Sequence, residues 1–347
     1  MKIALVTDFH FGVKKNNSKF LQSQLKFFND VFFPYIKKHN INDIICLGDL
    51  FDNRNSINVN VLNEVDTLMV DEFNKYKTYM IVGNHDTYMR NTINIHSLAP
   101  FRHLKNINVI DEITQIELDG KLALLVPWQV DNNEFIKKIS DKNFYNDFAF
   151  GHFEINGFNL NTSKVCDFGI SPNVFFNNYG LTFSGHFHTR KEIKQMDKKI
   201  IYIGSPYEIT RSDINQHKGF CVLDTNTISY EFINNDVSIK HKRFTYPDKF
   251  QQKDIEGNIV DVVVNIDDNY DEKQFQKYML EIDSYLPYDV ELKLLNNIDI
   301  TSKGDYKIQN TEELIKEYIE DTDYEKKLKK QIKDKMVSLY MECKQND

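Results

Sequence analysis

Up to about residue 245 the chain alternates short apolar runs with polar turns and amphipathic stretches. Residues 3–7 form an apolar run that predicts a buried strand. Residues 18–39 space Phe20, Leu21, Leu25, Phe28, Val31, Phe32 and Ile36 as one helical stripe. A second buried strand is predicted at 44–47, a second helix at 59–76 and a third strand at 78–82. Strand–helix–strand units repeated in this way predict a parallel sheet with helices on its faces. From Val109 onward the strands crowd together, at 122–126, 148–150, 181–184, 200–203, 220–223 and 228–232. They predict a second sheet that completes a layered α/β sandwich.

After Tyr246-Pro247 the pattern changes. Residues 259–266 alternate as a strand, 272–286 read as a helix and 290–294 as another strand. From Thr311 the pattern is helical, with Leu314, Ile315, Tyr318 and Ile319 on one stripe. Leu328, Ile332, Met336, Leu339, Tyr340 and Cys343 form a second. The expected organisation is a sandwich domain over 1–245, a small α+β domain over 250–305 and a helical tail over 307–347. A length of 347 residues suits such a division.

Composition narrows the class. At 41% apolar and 13% aromatic the chain can bury a substantial core. Its longest apolar runs are too short to cross a bilayer, and the first strand leaves no room for a secretory leader. Cys46, Cys166, Cys221 and Cys343 are scattered without a CxxC pair, so reduced core thiols in a cytoplasmic protein are expected. A net charge of −8 argues against a general DNA-coating protein, but not against a nucleic-acid enzyme with local basic patches.

The predicted strand ends carry the chemistry. Asp8 and His10 follow the first strand in "TDFH"; Asp49, Asp52 and Arg54 follow the second in "GDLFDNR"; Asn84, His85 and Asp86 follow the third in "GNHD". "GHFE" then supplies His152, and "GHFH" supplies His186 and His188. In a parallel sheet the carboxyl ends of the strands form the face where ligands bind. Each motif alone has an ordinary reading as a turn or strand cap. Five in succession, each after an apolar run, point to a metal centre. Carboxylates, imidazoles and an amide oxygen together suit borderline divalent ions such as manganese, iron or zinc. The ligands outnumber the needs of one tetrahedral ion, so two ions sharing Asp49 is the economical count. Two ions about 3.5–4 Å apart stabilise in-line displacement at phosphorus.

The order DxH…GDxxD…GNHD…GH…GHxH resembles the calcineurin-like metallophosphoesterases over about residues 1–245. "YIGSPYEITRSD" at 202–213, the small second domain and the helical tail resemble the SbcD-type nucleases of double-strand-break repair complexes. "GHFEINGF" and the short length look like the phage recombination-nuclease subunits. The resemblance implies a metallophosphoesterase sandwich with a DNA-capping domain. It implies one ion on Asp8, His10, Asp49 and His188, and a second on Asp49, Asn84, His152 and His186. Manganese is the expected ion, with magnesium as the other candidate. His85 then matches the family's non-ligand histidine, which stabilises the transition state or protonates the leaving oxygen. Asp52 stands where several members carry a second histidine, and is expected to orient His85 as a charge partner.

The implied activity is exonucleolytic and endonucleolytic hydrolysis of DNA ends. Lys14, Lys15, Arg54, Arg90, Arg190 and Arg211 lie in loops near the motifs and are candidate phosphate contacts. The resemblance further implies a homodimer whose tail, through Leu328, Ile332, Met336 and Leu339, grips the coiled coil of an SMC-like (SbcC-type) ATPase. The competing readings are a small-molecule phosphodiesterase or phosphoprotein phosphatase of the same fold, which needs no such tail, and a non-catalytic scaffold, against which the complete ligand set argues.

Overall fold

The first apolar run becomes β1 (Lys2–Val6), buried on both faces because it lies in the middle of a sheet. Ile3 and Leu5 enter one core layer while Ala4 and Val6 enter another. The computed structural model describes residues 1–139, 146–158, 166, 169–266, 271–296, 319, 328–333 and 335–336. Residues 1–295 form one compact unit and 296–347 a second.

In the first unit β1 pairs in parallel with β2 (Asp43–Cys46), β2 with β3 (Lys77–Ile81), and β3 with β4 (Ile107–Ile110). The second sheet contains β5 (Thr114–Leu118), β6 (Lys121–Val126), β7 (Asn146–Gly151), β8 (Tyr179–Ser184), β9 (Lys191–Gln195) and β10 (Lys198–Tyr202). Its order is β5-β6-β7-β8-β10-β9, parallel in the centre with antiparallel strands at both edges.

The remaining strands of the sandwich, β11 (Gly219–Asp224) and β12 (Ser229–Asn234), depart from expectation. They extend the first sheet beyond β1, antiparallel, rather than the second. Phe220 and Val222 face the outer core of that sheet while Cys221 and Leu223 face the layer between the sheets. An apolar run reports that a strand is buried on two faces, not which neighbour it chooses. β5 and β9 escaped sequence reading because they are exposed, mostly polar edge strands.

Three apolar layers result. One lies between the sheets, and one covers each outer face, against helices that include Val59–Asp71 on one side and Asn132–Ile139 on the other. The helix expected over 18–39 is α-helical at Ser18–Phe27 and Phe33–Lys38 with a π-helical turn, Phe28–Phe32, between them. The wider turn aligns positions five apart, which lets Phe27, Phe28, Phe32 and Phe33 all enter the core. The predicted 59–76 helix gives way after Asp71 to a 3-10 turn at Phe73–Lys75.

A third sheet, β13-β14-β15, is made by His241–Thr245, Ile259–Ile266 and Asp289–Asn296. The helix Glu272–Ser284 covers one face through Phe275 and Ile282, over Val260, Val262 and Val264. Asp271 caps that helix by accepting the N–H groups of Lys273 and Gln274. Asp261, on the opposite face, is buried and receives Arg211, Arg243 and Lys293. Arg211 also pairs with Glu291.

In the second unit Leu328, Ile332 and Met336 lie in helical turns, with Leu328 and Met336 exposed. Leu339 and Cys343 lie outside the described residues. Cys46, Cys166 and Cys221 are buried free thiols. Among the described residues no helix is long and apolar enough to cross a membrane.

Candidate metal centre and active site

Each predicted ligand leaves the carboxyl end of a central parallel strand, and close backbone packing draws those ends together. Asp8 donates its N–H to the Gly48 carbonyl at 3.0 Å, and His10 donates to that of Asp49 at 3.1 Å. Gly48 has φ 107°, and a Cβ there would come 2.5 Å from His152 Nδ1. At Gly185 a Cβ would collide with Thr7 Oγ1 and His152 Nδ1. The glycines of "GD" and "GH" are therefore the places where loops touch. Asp8, His10, Asp49 and His186 all have left-handed backbones, with φ of 54°, 46°, 58° and 85°. Such residues cost about 1–3 kcal/mol each and cluster where function demands a particular aim.

Two donor sets meet at Asp49. In one, His10 Nε2 lies 3.1 Å from His188 Nε2, 3.6 Å from Asp49 Oδ2 and 4.0 Å from Asp8 Oδ1. In the other, Asn84 Oδ1 lies 2.8 Å from His152 Nε2 and 2.9 Å from His186 Nδ1, and Asp49 Oδ2 lies 3.2 Å from His152 Nε2. Asp49 Oδ2 is common to both, while Oδ1 accepts the His85 N–H at 2.8 Å. The aim of Asp49 is thus set by the backbone.

The donor chemistry fits a divalent ion. His152 Nδ1 donates to the Leu47 carbonyl at 2.7 Å, so Nε2 is the atom that faces two acceptors, Asn84 Oδ1 and Asp49 Oδ2. In the neutral ring this is a meeting of lone pairs, which only a proton or a metal cation reconciles. Burial opposes a charged ring, yet Asp49 pushes the His152 pKa up to about 9. His10 is likewise raised: its burial is outweighed by Asp52, Asp49 and Asp8. His188 is pushed down to about 4 by burial and by the neighbouring His10. Burial alone would raise Asp49, but His152, His10 and His85 hold it well below the ordinary carboxylate range. The pocket concentrates negative charge and imidazole nitrogens on the same two points.

His85 stands beside these sets, its ring edge-on to His10 at 4.7 Å between centroids. Its Nδ1 donates to the backbone carbonyl of Asp52 at 2.6 Å, so Nε2 is the ring nitrogen that this bond does not use. The Asp52 carboxylate stands close to both His10 and His85, and against burial their charges help hold its pKa below the ordinary range. It lies 3.2 Å from His10 Nδ1, while the main chain of Asp52 orients His85.

Sequence reasoning gave no role to Asp86. Its buried carboxylate accepts the N–H groups of Gly83, Asp49 and Leu50 at 2.8, 3.0 and 3.0 Å, and the Ser97 hydroxyl at 3.2 Å. It clamps the loop after β2 to the loop after β3. Glu154, 3.6 Å from His186 Nε2, and Trp128, whose ring lies beside His152 and His186, were also missed. "GHFE" and the single tryptophan after β6 were the available signals.

The candidate phosphate contacts divide. Arg54 donates to Thr87 at 3.4 Å, and burial and the charge of Arg90 lower its pKa. Lys15 is exposed, and Lys14 Nζ lies 3.4 Å from His241 Nε2. Arg211 is engaged by Asp261 and Glu291. Arg190 stacks on Phe232, 4.0 Å from the ring centroid, and donates to Asn234.

Residues 1–190 match the calcineurin-like phosphoesterase family. The chain is 30% identical over 327 residues to exonuclease subunit 1 of Enterobacteria phage T4, covering 92% of each chain. It is 27% identical over 256 residues to the SbcD component of the SbcCD nuclease of Staphylococcus epidermidis, covering 65% of this chain and 66% of that one. With the sandwich fold and the strand-end ligands in place, these relationships identify the chain as a member of the calcineurin-like phosphoesterase family, in its SbcD-type branch near the phage exonuclease subunits.

Proposed function

We propose that this protein is a metal-dependent nuclease that hydrolyses phosphodiester bonds at DNA ends, as the catalytic subunit of an SbcCD-like complex in the cytoplasm. The observation that carries the reading is the sharing of Asp49 Oδ2 between two donor sets with His85 alongside. The names of the phage exonuclease subunit and the bacterial SbcCD component supply the substrate class.

Asp8, His10, Asp49 and His188 would hold one divalent ion, and Asp49, Asn84, His152 and His186 the other. Such ions, manganese or magnesium, supply Lewis-acid polarisation of the phosphate and make an attacking water acidic. The chain's own groups do the rest. Asp49 spans the two sets, Asp52 keeps His10 aimed, and Asp86 holds both loops in register. His85, oriented through Nδ1–H on the Asp52 carbonyl, would as imidazolium give its Nε2 proton to the leaving oxygen and be left as the neutral ring. Arg54, whose pKa is lowered by burial and by the charge of Arg90, is a candidate phosphate contact together with Arg90. Lys14 and Lys15 add positive charge on a neighbouring loop, while Arg211 and Arg190 serve other contacts.

The exposed apolar residues Leu328 and Met336 suit capture of an SMC-like coiled coil. Exposed Val59 and Leu62 on the helix Val59–Asp71 suit a homodimer. The test is digestion of linear and circular DNA with manganese, magnesium or a chelator, with and without a co-expressed ATPase partner. Cleavage of linear DNA that needs metal and rises with ATP supports the proposal. Inactivity on DNA with turnover of small phosphodiesters favours the alternative enzyme.

A further inference from the structure

Trp128 is the only tryptophan in the chain, and none of the ligand motifs requires an aromatic residue there. It follows β6 by two residues, and its backbone N–H donates to the Val82 carbonyl at 2.8 Å. That bond ties it to the end of β3, the strand that leads into Asn84. Its ring lies 5.2 Å from His186 between centroids, tilted by 43°, and 6.1 Å from His152, edge-on at 68°.

Leu124 and Val126 of the preceding strand enter the outer apolar layer with Phe135 and Phe153. Trp128 belongs to none of the four apolar clusters of the described residues. It is half-buried, and Val130 beyond it is 46% exposed. A partly buried indole ring thus stands beside two histidines of the second donor set. Indole rings bind planar π systems by offset stacking, and every nucleobase has such a face.

We propose that Trp128 is a stacking platform for an unpaired nucleobase adjoining the scissile phosphate, so that the site takes frayed or single-stranded ends in preference to paired duplex. An internal base of a duplex is stacked on both faces by its neighbours, and a terminal paired base is held to its complement and cannot turn freely onto the ring. This inference rests on the nuclease reading and adds the form of the DNA end to it.

The test uses the full chain with manganese and duplexes carrying short unpaired ends, either with ordinary bases or with abasic tetrahydrofuran nucleotides. Trp128→Ala is expected to raise KM on ordinary ends about tenfold, the size of one base–aromatic stack. On abasic ends it should cost less than about threefold. The unmodified chain should lose about tenfold on going from ordinary to abasic ends, a comparison that needs no folded variant. Trp128→Phe should recover most of the loss. Equal losses on both kinds of end would make Trp128 a structural support for His186 and overturn the proposal. So would an unmodified chain indifferent to the missing bases. Because Trp128 is the only source of indole emission, binding is read separately in chelator, where nothing is cleaved. Quenching by ordinary ends but not abasic ends supports stacking, and equal quenching opposes it. A chain that cleaves no DNA under any metal refutes the nuclease reading instead, and the emission experiment still decides the stacking.

Discussion

Asp49 Oδ2 lies 3.2 Å from His152 Nε2, and that nitrogen is free to face it because the other ring nitrogen donates to the Leu47 carbonyl. One carboxylate oxygen so placed, with His10 Nε2 3.6 Å away on its other side, is the feature from which the two-ion reading follows. Asp49→Asn should therefore lose metal and nuclease activity together while the fold survives. Metal content by mass spectrometry and a thermal melt check this. Ordinary manganese-dependent cleavage by the variant would end the shared-ligand assignment.

His85 makes no close contact with Asn84 Oδ1, unlike His152 and His186, and its Nδ1 is spent on Asp52. His85→Ala should retain both ions and DNA affinity, and cleave about 10²–10⁴-fold more slowly. Loss of one ion from the variant would make His85 a ligand.

The clamp at Asp86 makes a prediction about stability as well as metal. In Asp86→Ala the N–H groups of Gly83, Asp49 and Leu50 lose their acceptor. A buried unsatisfied group costs about 1–3 kcal/mol, so the variant should lose at least about 3 kcal/mol. Metal affinity should fall about 10–100-fold, as for other groups that position ligands. Guanidinium unfolding and metal titration measure the two effects. A variant with unchanged midpoint and affinity would contradict the clamp.

Asp261 gives a pH dependence whose sign can be worked out. Burial raises its pKa, but Arg211, Arg243 and Lys293 outweigh burial and hold it below the ordinary aspartate range. A depressed carboxylate stabilises the fold fully above its unfolded pKa of about 3.9, and that contribution fades as pH falls through the lower folded value. Asp261→Asn should cost about 1–3 kcal/mol near neutrality, since the three cations are themselves partly exposed. The difference between variant and parent should shrink below about pH 4. Unfolding free energies at pH 7, 5 and 3 test it, and a difference that grows on acidification would reverse the assignment.

Deleting residues 307–347 should spare metal content and basal cleavage but abolish co-purification with an SMC-like ATPase and any ATP stimulation. Leu328→Asp, Ile332→Asp and Met336→Asp together should act alike, because carboxylates cannot enter an apolar groove without a large desolvation cost. Retained partner binding would move the interface elsewhere, and an unfolded truncation would make the tail part of the chain's own core.

The sequence by itself determined which acids, imidazoles and amide stand at the strand ends, and most of the core strands. Strand-end motifs are legible because the chemistry needs fixed residue types one to three positions after a buried run, as at Asp8 after β1 and His152 after β7. Core strands are legible because two-sided burial demands continuous apolar runs. Tertiary structure alone decided the rest. The runs at β11 and β12 look alike in either sheet, and only pairing with β1 assigns them. Asp52 and Asp86 are both acids in strand-end loops, yet one lies 3.2 Å from His10 Nδ1 and the other gathers three N–H groups from two loops. Arg211 is a loop cation by sequence, and only the fold brings it to Asp261 and Glu291, on strands some 50 and 80 residues further along. A side chain's type is written in the chain, but its partner is set by which loops the folded sheets bring within hydrogen-bonding distance, about 3 Å.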